Sequence, residues 1–145
     1  MKRNSIIIAE AILNIAISSY PEIKDSKIEL RVDEDNSNDI LSFLLEKDKN
    51  NKYLNIKKFA RILREVSLGN YDEDLYGQEP PKGKNVTAMK FKGKQNYRIA
   101  CKEIFCKNKK VIMVSLFHKK STKGSNISKK DLALYESIGD YEYEC

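Results

Sequence analysis

Residues 86–120, VTAMKFKGKQNYRIACKEIFCKNKKVIMVSLFHKK, decide the fold. Three runs rich in Val, Ile, Phe and Tyr are separated by turn signals at Gly93 to Asn96 and Lys107 to Lys110, which reads as an antiparallel meander of three strands. In the first, Val86 to Lys92, Met89 and Phe91 point one way and Ala88, Lys90 and Lys92 the other. In the second, Tyr97, Ile99 and Cys101 alternate with Arg98, Ala100 and Lys102. The third, Val111 to Phe117, is apolar on both faces except at Ser115, as expected of a strand covered on both sides, and runs into His118, Lys119 and Lys120. One face is therefore expected to receive helices. The other gathers Lys90, Lys92, Arg98 and Lys102, with His118 to Lys120 at its rim, and is expected to stay free.

Upstream, KIELRVD (Lys27 to Asp33) alternates Ile28, Leu30 and Val32 with charges, the period of a half-buried strand. Ser37 or Asn38 can cap a helix carrying Ile40, Leu41, Phe43, Leu44 and Leu45. A second helix follows from about Asn55 to Leu68, with Ile56, Phe59, Ala60, Leu63 and Val66 at helical spacing and Gly69 placed to stop it. The two form a hairpin that can cover one sheet face. Asn70 to Lys84 has no periodicity and reads as a loop. The Ile-rich opening, Met1 to Pro21, has an apolar run of 12 residues, interrupted by Glu10 and Asn14 and too short to cross a bilayer. It is expected to add an N-terminal helix over residues 1–22.

Downstream, Ser121 to Asn126 is a polar loop, and Ser128-Lys129-Lys130-Asp131 is a capping box opening a last helix. Leu132, Leu134, Tyr135 and Ile138 form its apolar side, with Gly139 as the expected stop. YEYEC, Tyr141 to Cys145, is expected to fray or to bind a partner. The predicted architecture is a single α+β domain, 1–145, with an antiparallel sheet of about four strands, a helix hairpin on one face and a C-terminal helix.

Charge is unevenly placed within a net +6. Residues 1–80 carry 12 Lys+Arg against 15 Asp+Glu, and residues 81–145 carry 15 against 6. Between Pro81 and Lys130 the only acid is Glu103. A field of that sign favours a polyanion, whereas a merely lysine-rich surface has no reason to place its cations on one strand face. Three cysteines with no Cys-x-x-Cys pair, and one histidine, support neither a disulfide framework nor a zinc site, and point to a reducing cytoplasm. Cys101 and Cys106, five apart on one strand, face opposite sides and cannot pair with each other.

No phosphate loop, zinc-protease motif or Ser-His-Asp order can be written, and no metal or cofactor is expected. What remains is phosphodiester chemistry without metal, which needs a base, cations around the pentavalent phosphate and a proton donor. Arg and Lys supply charge and His118 can serve as acid or base; as an ordinary residue, His118 would sit at the rim bonded to backbone.

The segments FLLEKDKN…IKKFARILREVSLGN, MKFKG…NYRIACKEIF and VIMVSLFHKKSTKGSNISKKDLA together resemble the RelE/ParE toxin superfamily, within it the HigB-like, phage-related toxins, from about Lys27 to Ile138. The resemblance implies a toxin of a toxin–antitoxin pair that cuts mRNA, often at the ribosome, by 2′-hydroxyl attack on the adjacent phosphate. It implies a cytoplasmic protein, off the membrane, with mRNA, the ribosome and a cognate antitoxin as partners; the N-terminal helix, outside the resemblance, is a separate candidate handle for a chaperone or the antitoxin. Tyr97-Arg98 matches the family's Tyr-Arg, whose arginine holds the scissile phosphate. Lys90 and Lys92 match the basic positions of the preceding strand, and Phe117-His118-Lys119-Lys120 matches Phe-x-Lys-Lys. The implied catalytic set is Arg98, Lys90, Lys92, His118 and Lys119, with Lys94, Lys102, Lys120 and Lys123 on RNA. Lys92 replaces the usual Arg that closes the first strand, the Pro before the last helix is absent, and the late Tyr of some members has a counterpart only if Tyr135 serves. The alternative is a binding protein that cuts nothing, such as a gyrase-directed toxin or a phage accessory protein, gripping its partner with the same basic face.

Overall fold

The computed structural model describes residues 2–8, 10–91, 96–120 and 127–145. Its centre is the expected meander: β4 (Val86–Phe91), β5 (Tyr97–Cys106) and β6 (Lys109–Lys119), paired antiparallel in sequence order. Lys107 and Asn108 both have positive φ, the two-residue turn whose twist matches the strands it joins.

The sheet is larger than four strands and is mixed. β1 (Ser5–Ile7), β2 (Glu29–Asp33) and β3 (Tyr76–Gln78) extend it to the order β1-β2-β6-β5-β4-β3. β2 runs parallel to β6, which its crossover through the helix hairpin permits, so the expectation of an antiparallel sheet is corrected. β3 lies inside the segment read as a loop, paired to β4 through Tyr76 and Met89. The Ile-rich opening divides. Ser5–Ile7 pairs with β2, and only Glu10–Ser19 forms a helix, α1, followed by a 3-10 turn at Pro21–Asp25. β-Branched Ile suits both states, and the free edge of β2 selects the strand.

α1, α2 (Ser37–Leu44) and α3 (Leu54–Ser67) cover one face. Neither Ser37 nor Asn38 caps α2; the cap position is Asn36, and its side chain instead donates to the Ser115 carbonyl at 2.8 Å. α3 ends as expected. Gly69 (φ 77°) turns left-handed, its N–H bonds the Val66 carbonyl and Asn70 N–H bonds that of Glu65, which satisfies two carbonyls of the last turn. Ile12, Ile40, Phe43, Ile56, Phe59, Ile62 and Val66 close over Val32, Met89, Ile99, Ile112 and Val114 in one apolar core.

The opposite face is not free. α4 (Lys129–Gly139) lies across it, packing Tyr135 and Ile138 on Val86 and Ala100. Ala88 faces Ala100 across the β4–β5 ladder, and both are fully buried, so small side chains let the helix approach. The Ser128 cap forms as expected, Oγ accepting from Asp131 N–H at 3.1 Å. Gly139, however, stays within the helix; a Cβ there would lie 2.9 Å from Lys84 Cβ, so the residue serves close approach rather than a stop.

Residues 140–145 neither fray nor stand apart. Tyr143 is buried against Val111 and Met113, its hydroxyl donating to Asp33 Oδ2 at 2.8 Å and sharing a hydrogen bond with Ser115 Oγ at 2.8 Å. Asp33 also receives Arg3 in a two-point contact, at 2.6 and 3.0 Å. Cys106 and Cys145 form a disulfide, which corrects the reading that none would form. Parity on β5 sends Cys106 to this face, where residues 140–145 bring Cys145, while Cys101 remains buried and free on the helical side.

Candidate functional site

Strand register sets three basic residues side by side. Lys90, Arg98 and His118 face one another across β4, β5 and β6 on the face that α4 covers. Lys90 and Arg98 are like charges placed directly opposite, which destabilises a sheet, so this row is not what packing alone selects. A bulge in β6 beside Ala100 and Cys101 adjusts the phase: Ser115 and Leu116 both turn toward α4, Phe117 toward the helical core and His118 back toward Arg98.

Arg98 is 6% exposed, and among the described residues its Nη1 has no hydrogen-bond partner. Burial pulls its pKa down, and the neighbouring Tyr135, Glu79 and Asp131 oppose that. His118 presents Nε2 to the Tyr135 hydroxyl at 3.0 Å, while its buried Nδ1 is also without a partner. Burial lowers the His118 pKa first, the Asp131 carboxylate and the backbone of Lys119 oppose it, and Arg98 and Lys120 add to the lowering, so the ring favours its neutral form at pH 7. An unpaired buried polar atom costs about 1–3 kcal/mol, and here two, Arg98 Nη1 and His118 Nδ1, lie on neighbouring strands.

Two carboxylates complete the setting. Glu79, just beyond β3, is half-buried, and burial raises its pKa against the opposing fields of Lys90, Lys120 and Arg98. Asp131, in the first turn of α4, is 2% exposed and acts on Arg98, His118, Glu79 and Tyr135 alike. Burial raises the Tyr135 pKa, keeping its hydroxyl protonated.

Of the residues predicted from sequence, Lys90, Arg98, His118 and Lys120 come together. Lys90 Nζ also donates to the Glu73 carbonyl, and Lys120 N–H to that of Asn96 at 3.1 Å. Lys119 does not join them: it pairs with Tyr97 and by alternation falls on the side of Phe117, away from His118. Lys102 lies under the end of α4, its Nζ donating to the Gly139 and Tyr141 carbonyls at 2.8 and 2.6 Å. Burial, with Lys84 adding to it, lowers the Lys102 pKa. Lys92, Lys94 and Lys123 lie outside the described residues.

Glu79 and Asp131 escaped the sequence reading. Glu79 precedes Pro80-Pro81 in a segment without periodicity, and Asp131 was accounted for by the capping box. Tyr135 left a usable trace, being a tyrosine on the apolar side of a helix whose hydroxyl needs a partner once buried. Among the described residues no cluster of His, Cys, Asp or Glu could hold a metal ion, and no helix is long and apolar enough to cross a membrane. Compared with known proteins, the chain matches no family model, no curated protein and no solved structure.

Proposed function

We propose that the chain is a metal-independent endoribonuclease, and in that capacity the toxin of a toxin–antitoxin pair acting on mRNA at the ribosome. The observation that carries the chemistry is the buried pair Arg98–His118, each with one nitrogen unpaired among the described residues, in a row of basic residues across three strands. The toxin setting rests on the resemblance of the meander and the flanking helices to RelE-like, HigB-like proteins.

In this reading Arg98 holds the scissile phosphate and neutralises the charge that grows on its non-bridging oxygens, with Lys90 and Lys120 adding to the field. His118 and Glu79 have pKa values displaced toward each other, one down and one up, which suits a base and an acid working near neutral pH. Neutral His118 takes the 2′-hydroxyl proton. Glu79, protonated more readily than an ordinary carboxyl, returns one to the 5′-oxygen that leaves, and the product keeps a 2′,3′-cyclic phosphate. With α4 seated, Tyr135 holds the imidazole through Nε2.

The test is incubation of the reduced chain with single-stranded RNA in EDTA, followed by analysis of the product ends. Cleavage to cyclic-phosphate and 5′-hydroxyl ends, lost in Arg98→Ala and His118→Gln, is the expected result; intact RNA with the wild-type chain, together with unaffected growth on its induction, defeats the reading.

A further inference from the structure

The cover over Arg98 and His118 is one run of chain fastened at its far end. α4 packs on β4 and β5 and brings Tyr135 to His118. Beyond it, Lys102 holds the Gly139 and Tyr141 carbonyls, and Tyr143 reaches Asp33 and Ser115. Arg3 N–H bonds the Glu142 carbonyl at 2.6 Å and Glu144 N–H bonds that of Arg3 at 2.9 Å. The last fastening is the Cys106–Cys145 bond, spanning a sequence separation of 39 residues. Cys145 is exposed and Cys106 only half-buried, so a solvent thiol can reach the bond. Cys101 is buried on the other face and takes no part.

A cross-link of that span removes most of the freedom a detached segment would gain, so breaking it acts on the cover more than on the core. We propose that Cys106–Cys145 is a redox latch: its reduction by a dithiol frees residues 140–145, loosens α4 and opens Arg98 and His118 to a polyanion. A thiolate of the dithiol attacks Cys145 Sγ, forming a mixed disulfide as Cys106 leaves as thiolate. The second thiol closes the dithiol into its own cyclic disulfide and releases Cys145. Two electrons and two protons end on the two cysteine sulfurs. That the entering polyanion is RNA rests on the function proposed above; the latch itself does not.

Hydrogen–deuterium exchange on the whole chain, oxidised, treated with dithiothreitol, and as Cys145→Ser without reductant, separates the two. Peptides covering α4 and residues 140–145 are expected to exchange about tenfold faster or more in the reduced chain and in Cys145→Ser, with α3 unchanged. Reductant should add nothing further to Cys145→Ser. Equal exchange of α4 in oxidised and reduced chains overturns the latch. The same samples are titrated with a short single-stranded RNA. Faster exchange with tighter binding supports latch and RNA together. Faster exchange with no RNA binding supports the latch and removes RNA as what enters. RNA binding that ignores reductant, with exchange unchanged, removes the latch and leaves the ribonuclease reading in place.

Discussion

The two faces of the sheet are closed by different chemistry. On one, α1 to α3 bury a continuous apolar core in which Phe43 meets Phe91 and Tyr97 edge-on and stacks on Phe117 at 4.3 Å. On the other, α4 and residues 140–145 close over two small apolar clusters separated by charged and hydroxyl groups: Arg98, Lys102, His118, Ser115 and Asp33. The first arrangement yields stability per atom buried. The second contributes less to stability and keeps polar groups dry.

Phe43→Ala, on the apolar face, should cost the most, about 3–5 kcal/mol, read as a lower midpoint in urea denaturation with an unchanged slope. Asp33→Ala removes the acceptor of Arg3 and Tyr143 from the polar face and should cost about 2–3 kcal/mol, with faster exchange confined at first to residues 140–145. Arg98→Met tests the contrast from the other side. A buried cation with an unpaired nitrogen replaced by an apolar chain of similar length should leave stability unchanged or raise it by about 1 kcal/mol, where any truncation on the apolar face lowers it.

The smallest effect is on pH. His118 has a folded pKa below its ordinary 6.5, so between those values the unfolded chain binds the extra proton. His118 therefore withdraws stability as pH falls through 6.5 toward its folded pKa, and has no effect above. His118→Gln should flatten that part of the stability–pH curve. Glu79, its folded pKa raised above 4.5, acts in the opposite sense: its favourable contribution is complete below 4.5 and fades as pH rises through the folded value. Glu79→Gln should remove that fading.

Much of the apolar face could be read from periodicity. Ile56, Phe59, Leu63 and Val66 repeat at helical spacing, Met89 and Phe91 alternate with lysines, and Gly69 and Ser128 mark a stop and a start for local reasons that no tertiary contact overrides. The polar face was read only in part. Lys90, Arg98 and His118 fell on one side by alternation, yet Val86, Ala88, Ala100 and Ile104 share that side and are the platform for α4; the lysines between them concealed an apolar stripe. β3 is three residues long, shorter than any periodic signal, and the parallel pairing of β2 with β6 is a tertiary choice that neither strand encodes alone. The burial of Tyr143 depends on Asp33, 110 residues away, and the disulfide on where residues 140–145 come to rest. An odd number of cysteines carries no such information.

The central claim is that the unpaired nitrogens of Arg98 and His118 are held for the phosphate of an RNA strand. It is tested most directly by measuring stability and RNA cleavage in EDTA on the same reduced samples of the wild-type chain and Arg98→Met. The account predicts a variant at least as stable as the wild type that no longer cuts RNA. A variant that loses stability as Phe43→Ala does, or one that cuts RNA as the wild type does, would contradict it.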